Sequence, residues 1–470
     1  MTLIKSISGI RGTIGGEAGT ALTPIDIVKF ASGFGKLVIN KNNGNRCKVV
    51  VGRDARISGE MVEQLVTATL AGLGIDVINL GLSTTPSTEM AVVHHRAQGG
   101  IIITASHNPK QWNALKLLND HGEFISESDG KQMLVLAEEL NFGYADVMSL
   151  GKITTDTESI TRHIQQIINL PLVNKKAIAE AKFKIVVDAV NSVGGLAVPQ
   201  LLEALQVEEI TKLYCEPDGM FAHNPEPLPE NLNDISKLVV KLKAHLGIVV
   251  DPDVDRLALV CEDGEMFGEE YTLVAIADYV LSHKKGNTVS NLSSTRALRD
   301  ITEKAGLKYF SSAVGEVNVV EVMKEKNAVI GGEGNGGIIL PELHYGRDAL
   351  VGIALFLSQL ATWGKTTSLL RKKYPEYHIS KNKIELTPDI DVDDILSKMK
   401  EKYKRQPLHT IDGVKIEFDN EWVHLRKSNT EPIIRIYSES QSMTTAQYLA
   451  QKIMSDIRDI VKDKRNNPKT

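Results

Sequence analysis

The sequence predicts an α/β protein: three similar α/β/α domains with mostly parallel mixed sheets, followed by a C-terminal α+β domain. Two observations carry this reading. Short apolar stretches repeatedly run into a small or polar loop and then an amphipathic helix. This occurs at 48–51 with a helix over 59–72, at 184–187 with a helix to about 204, and at 287–292 with a helix to about 304. Unbroken apolar strands are buried on both faces, and their alternation with helices makes the sheets largely parallel. Beyond about residue 370 the pattern changes to strands at 383–386, 413–418, 422–426 and 433–438, with helices at 391–403 and 443–462. That is an α+β layout. A chain of 470 residues fits about three to four domains, with boundaries expected at 1–150, 151–258, 259–370 and 371–470. The charged tail 462–470 is expected to fray.

With 42% apolar and 24% charged residues the chain has the composition of a soluble globular protein. A net charge of −5, without a basic stripe or aromatic–basic interleaving, gives no reason to expect a nucleic-acid partner. Cys47, Cys215 and Cys261 are odd in number and far apart, which fits free thiols in a reducing compartment. The N-terminus lacks the apolar core of a signal peptide, and no apolar run reaches membrane-spanning length. A cytoplasmic location and no membrane partner are therefore expected.

The clearest chemical signal is at 246–256, where an apolar strand empties into Asp251-Pro252-Asp253-Val254-Asp255-Arg256. In extended backbone, side chains at i, i+2 and i+4 share a face. The three carboxylates should therefore converge, which anions do around a cation. All-oxygen ligation favours Mg²⁺ before Mn²⁺ or Ca²⁺. Arg256 adds a fixed positive charge for a substrate anion. A solvated acidic turn is the competing reading, against which stand the strict alternation and the closing Arg. A calcium loop fails, because its sixth position is Arg256 instead of Gly and 257–261 reads as a strand.

Three further loops carry chemistry. Strand 101–103 leads to Thr104-Ala105-Ser106-His107-Asn108-Pro109, placing Ser106 where open α/β sheets usually present active groups. A serine nucleophile needs a base or a metal. His107, adjacent in sequence, is poorly placed as that base, and the G-x-S-x-G elbow of hydrolases is missing. With Mg²⁺ nearby, a phosphoryl group is the natural cargo; a helix-capping loop is the alternative. Residues 331–337 formally contain G-x-G-x-x-G, but a strand and Pro341 follow where a dinucleotide fold needs a helix. Glu333 and Asn335 on bare backbone instead suit vicinal sugar hydroxyls, unless the segment is a plain glycine turn. Finally Arg426, Ser428, Asn429, Thr430 and Arg435 form either a cup for a phosphate dianion or a basic hairpin turn.

These four loops, in this order, resemble those of the α-D-phosphohexomutase superfamily: T-x-S-H-N-P, D-x-D-x-D-R, G-E-x-[SN]-G and R-x-S-[GN]-T-E-P. The likeness spans essentially the whole chain and extends to Ser8-Gly-Ile-Arg11-Gly12, Trp112-Asn-Ala-Leu-Lys116 and the segment 219–227. The resemblance implies four domains around a central cleft, the first three alike. It implies that Ser106 carries the phosphate and contributes to one Mg²⁺ with Asp251, Asp253 and Asp255. Arg11 and Lys116 would stabilise charge or relay a proton, Lys116 as acid/base only if its pKa is lowered. Glu333 and Asn335 would hold sugar hydroxyls, and loop 426–435 the phosphate that is not reacting. The implied reaction interconverts hexose 6- and 1-phosphates through a bound 1,6-bisphosphate.

Departures from the pattern are Asn335 for a frequent Ser, Gly337 where several members place a His, Pro252 and Val254 for Gly, Trp112 for Tyr and Ala114 for Gly. The overall pattern is most similar to the phosphoglucosamine mutases, ahead of the phosphomannomutases and phosphoglucomutases. A small-molecule sugar phosphate is the expected partner, and the chain a monomer or homodimer.

Overall fold

The computed structural model describes residues 2–6, 9–386, 391–427 and 433–466. The chain forms two compact units, one of residues 1–285 with 329–371 and the other of 286–328 with 372–470. In the first unit a seven-stranded sheet has the parallel core Asp76–Leu82, Lys48–Arg53 and Gly99–Ile103, with Trp112–Leu118 antiparallel beside the last. Gly9–Thr13 continues the sheet next to Trp112–Leu118. A second sheet repeats the plan: Glu209–Leu213, Lys184–Asp188 and Leu246–Val250 run parallel, and Leu257–Cys261 returns antiparallel. Every residue of Gly99–Ile103 and of Leu246–Val250 is buried, as continuous apolar strands covered on both faces must be. The consequence for function is positional. Both strands stop at a polar loop, Gly99–Ile103 before Ser106 and Leu246–Val250 before Asp251.

The third region contributes the antiparallel pair Ala328–Glu333 and Gly337–Ile339, then the helix Ala349–Trp363. That helix is apolar on nearly all sides and buried along most of its length. Asp348 caps its N-terminus, accepting hydrogen bonds from Leu350 N and Val351 N, and Gly364 (φ +65°) closes its C-terminus.

The same Asp348 anchors a polar network. His163 Nε2, from the helix Ser159–Ile168, lies 2.9 Å from Asp348 Oδ2, and His344 Nε2 lies 3.2 Å from the same oxygen. His163 Nδ1 meets Ser87 Oγ at 3.0 Å, and His344 Nδ1 lies 3.2 Å from Glu89 Oε2. Segments distant in sequence are thus tied through one carboxylate. Sequence reasoning offered no hint of it, since its members are spread over some two hundred and fifty residues.

In the second unit, Asn287–Asn291 and Tyr309–Ser312 form a parallel pair. The C-terminal sheet is antiparallel, in the order His378–Glu385, Ile433–Ser440, Trp422–Lys427, Val414–Glu417, Leu408–His409. Helices Val392–Lys402 and Met443–Asn466 share one core with it, including Ile395, Met399, Ile434, Ile436, Ile453 and Ile457. Strand alternation turns Ile434 and Ile436 inward and leaves Arg435 exposed. The expected frayed tail is corrected in part: the last helix runs to Asn466, since Lys, Asp and Arg do not break a helix when no Gly or Pro interrupts it. No helix among the described residues is long and apolar enough to cross a membrane.

The network at His344 yields a pH test. Burial would lower its imidazole, but Asp348 and Glu89 outweigh that and raise it to about 10. A group whose folded pKa is raised contributes stability below its unfolded value, near 6.5, that is lost as pH rises through about 10. Thermal stability should therefore fall between pH 7 and pH 10 more steeply in the parent protein than in His344→Gln. Parallel curves for the two proteins would refute the ion-pair reading.

Candidate active site

Ser106 sits in left-handed backbone (φ +48°), a conformation that costs a non-glycine residue about 1–2 kcal/mol. The surrounding contacts hold it there. Ser106 N donates to Thr104 Oγ1 at 2.9 Å, and that hydroxyl donates to buried Asp54 Oδ2 at 2.6 Å. Arg56, only 1% exposed, runs beneath the loop and donates to the carbonyls of Ser106, Asn108, Pro109 and Trp112. Its Nε completes an ion pair with Asp54 at 3.1 Å. Sequence reasoning missed Arg56 and Asp54. The available signal was Gly52-Arg53-Asp54-Ala55-Arg56, a charged loop directly after an apolar strand.

The aspartate loop converges as expected, but by a different route. A fully extended strand would set residues 251 and 255 about 13 Å apart. Instead the chain turns, with Val254 N bonded to Asp251 O at 3.1 Å and Val254 at φ +63°. Asp255 N and Arg256 N both donate to Asp251 Oδ1, at 3.2 and 3.1 Å. The turn brings one oxygen from each of Asp251, Asp253 and Asp255 within 4.8 Å of one another, and all three residues are fully buried. Backbone bonds from Thr85 N to Asp253 O and from Ala349 N to Val254 O pin the turn on two sides.

Ser106 Oγ donates to Asp251 Oδ2 at 2.6 Å, so the structure brings the serine to the aspartates. Lys116 Nζ lies 2.7 Å from Asp253 Oδ2 and 3.3 Å from Asp255 Oδ2. Thr85 Oγ1 also donates to Asp253 Oδ2, at 2.6 Å. Burial, with the charges of Asp255 and Asp253, pushes the Asp251 carboxyl well above its ordinary range. Burial would raise Asp253 as well, but the Lys116 ammonium holds it well below. Two oxygens, Asp253 Oδ1 and Asp255 Oδ1, are buried without a hydrogen-bond partner. Buried carboxylate oxygens left unsatisfied are costly, and a hard, oxygen-seeking divalent cation would satisfy them. The residues present therefore fit a metal such as Mg²⁺.

Lys116 as an acid/base requires a lowered pKa, and its neighbours are the same carboxylates that would hold the metal. Burial alone would lower its pKa, but Asp253 and Asp255 hold the ammonium above its ordinary value. Arg11 pairs across the sheet with Ala114, which puts it on the same sheet face as Lys116. His107 Nδ1 lies 3.4 Å from Ser106 Oγ, but burial and then the Arg256 guanidinium push its imidazole down to about 3, a poor base at neutral pH. Arg256 itself sits 3.8 Å from Asp255 Oδ1 and 4.0 Å from Glu226 Oε1.

The glycine loop holds Glu333 buried, with Oε2 3.0 Å from Arg347 Nη1. Asn335 Oδ1 accepts from Gly337 N at 3.2 Å. Gly336 adopts φ +82°, and a Cβ there would fall 2.2 Å from Leu257 O, so close backbone approach explains it. Leu257 N donates to Gly336 O at 3.1 Å, joining this loop to the strand that leaves the aspartates. Arg347 is another residue that sequence reasoning missed.

In the second unit, Arg426 and Arg435 face each other directly across an antiparallel strand pair, and Lys383 is the next partner of Arg435. Like charges set opposite one another are unfavourable, which suits a surface that receives an anion. Arg426 Nε also pairs with Asp412 Oδ2 at 2.8 Å. Ser428, Asn429 and Thr430 lie outside the described residues.

The clamp beneath Ser106 can be tested without activity. Arg56→Met strands the Asp54 carboxylate in the core, where burial already raises its pKa. Removing one partner of a buried pair costs about 3–5 kcal/mol. Denaturant unfolding should register a loss of that order; a change below about 1 kcal/mol would be that of a surface pair.

Comparison with known proteins accords with the geometry. Four consecutive stretches match the phosphoglucomutase/phosphomannomutase family: alpha/beta/alpha domain I over residues 3–142, domain II over 161–264, domain III over 268–377 and the C-terminal domain over 383–455. A phosphoglucomutase/phosphomannomutase of Thermococcus kodakarensis is 36% identical, covering 92% of this chain and 94% of its own. A phosphoglucosamine/phosphogalactosamine mutase of Sulfurisphaera tokodaii is 30% identical, covering 97% and 98%. Among solved structures, a phosphoglucomutase/phosphomannomutase family protein of Burkholderia thailandensis superposes with a TM-score of 0.83 at 25% identity, covering 99% of each chain. With a match along nearly its whole length, this chain belongs to the phosphoglucomutase/phosphomannomutase family of phosphohexomutases.

Proposed function

We propose that this protein interconverts glucosamine 6-phosphate and glucosamine 1-phosphate through a phosphoserine on Ser106 and a bound 1,6-bisphosphate. The observation that carries the reading is the Ser106 hydroxyl, hydrogen-bonded to Asp251 beside two buried carboxylate oxygens that lack a partner. A sugar hydroxyl attacks the phosphoserine phosphorus; its O–P bond forms as the Ser106 Oγ–P bond breaks. The attacking hydroxyl loses one proton and the departing serine oxygen needs one, so the proton balance closes within the step. When bound to Asp251, Asp253 and Asp255, Mg²⁺ supplies neutralising charge for the phosphoryl group. Lys116, Arg11 and Arg256 add fixed positive charge, and positioning does most of the remaining work.

In this reading Glu333 and Asn335 hold sugar hydroxyls, while Arg426, Ser428, Asn429, Thr430 and Arg435 grip the non-reacting phosphate. The Sulfurisphaera tokodaii relative, named for amino-sugar phosphates, supports the glucosamine assignment. The Thermococcus kodakarensis relative, at 36% identity, supports a second reading with glucose or mannose phosphates. Both readings share every step above.

Two measurements test the proposal. The protein should convert glucosamine 6-phosphate with Mg²⁺ at a kcat/KM at least about tenfold above those for glucose and mannose 6-phosphates, a difference of about 1.4 kcal/mol. A preference for either neutral sugar would transfer the assignment to the second reading. Asp253→Asn should keep its fold yet lose activity on the order of a hundredfold or more, the scale of removing one preorganised charge from a transition state. Near-normal turnover in that variant would remove the metal from the account.

A further inference from the structure

One side chain bridges the aspartate and glycine loops. Arg347 Nη2 lies 2.7 Å from Asp255 Oδ2, and its Nη1 lies 3.0 Å from Glu333 Oε2. The residue is only 8% exposed. Its backbone surroundings make the same connection: Asp348 N donates to Ile338 O of the glycine hairpin at 2.8 Å, and Ala349 N donates to Val254 O of the aspartate turn at 3.1 Å. His163 and His344 then fix Asp348 from the other side. The guanidinium is thus delivered to the junction by a rigid segment.

Gly337 makes room for it. A Cβ at position 337 would fall 2.4 Å from Arg347 Cδ, so the stem of Arg347 runs through the space a side chain there would fill. A bulky residue at 337 and Arg347 in this position exclude one another. The absence of a side chain at 337 is therefore matched to the presence of this arginine.

We propose that Arg347 is a positioning residue that links metal binding to sugar binding. Its planar fork reaches carboxylates on two different loops through two separate nitrogens held in one plane, where a lysine offers a single compact ammonium. It orients Glu333 toward sugar hydroxyls, and as a fixed cation on Asp255 it opposes a second positive charge among the aspartates. The inference rests on the mutase reading of this site. It assigns Arg347 a divided task, since the charge that helps the sugar loop works against the metal.

That division gives opposite signs for the two ligands. Calorimetric titration of the full-length, unphosphorylated protein should show Arg347→Ala binding Mg²⁺ more tightly and glucosamine 6-phosphate more weakly. Each shift should be on the order of threefold to tenfold, the scale of one net hydrogen bond. In turnover the sugar effect should appear mainly in KM. Arg347→Lys keeps the charge but loses the fork, so Mg²⁺ affinity should stay near that of the parent while KM still rises. Weakening of both ligands together, or no change in either, would overturn the inference and leave a merely structural role or none. If Arg347→Ala does not fold, a parental KM in Arg347→Lys would overturn it equally. A parent protein that converts no hexose phosphate would instead defeat the mutase reading, a failure the Mg²⁺ titration does not share.

Discussion

Three carboxylates buried side by side set the terms for the rest of this structure. Even after relaxation, taking each such ion out of water costs several kcal/mol, and like charges at this spacing add repulsion. Three cations, Lys116, Arg347 and Arg256, face Asp251, Asp253 and Asp255. They leave two oxygens, Asp253 Oδ1 and Asp255 Oδ1, without hydrogen bonds. In the proposed reaction, a divalent cation and a phosphoryl group entering together would offset that cost. Binding and catalysis draw on the same electrostatic imbalance.

Such a site works only if the loops around it cannot relax. Ser106 and Val254 both occupy left-handed backbone, at about 1–3 kcal/mol each. The bonds that oppose relaxation come from elsewhere in the first unit. Arg56 holds the serine loop through four carbonyls. Thr85 and Ala349 hold the aspartate turn through backbone bonds, and Leu257 ties that turn to the glycine loop. The Asp348 network, placed one residue beyond Arg347, extends this stiffness into the helices that carry Glu89 and His163.

The two units divide the chemistry. Phosphoserine, metal and sugar-hydroxyl candidates lie in the first. The second presents a row of Lys383, Arg435 and Arg426 across neighbouring strands, with Arg426 paired to Asp412 and Lys383 to Glu385. Family membership accounts for both. Residues such as Gly337 and Arg347, which occupy each other's space, show how one chain can keep a shared reaction while altering the surroundings of the sugar.

The sequence by itself determined which residues are chemically able to act. Alternation of Asp251, Asp253 and Asp255 after a buried strand marked a candidate cation site, and Ser106 after another buried strand marked the hydroxyl that the fold places beside it. Strand–loop–helix repetition identified the fold class. These signals are local, and local signals survive in a one-dimensional string because side-chain direction follows backbone period. Tertiary structure alone decided how the aspartates converge, by a turn instead of an extended strand, because distance between residues 251 and 255 depends on dihedral angles that composition does not fix. It alone decided that Lys116 is held charged by Asp253 and Asp255, since a pKa is a property of neighbours and not of the residue. Arg56, Arg347 and the His163–Asp348–His344 network were illegible for the same reason. Arg56 reaches Ser106 across 50 residues, Arg347 reaches Asp255 across 92 and His163 reaches Asp348 across 185, and only folding makes these groups adjacent.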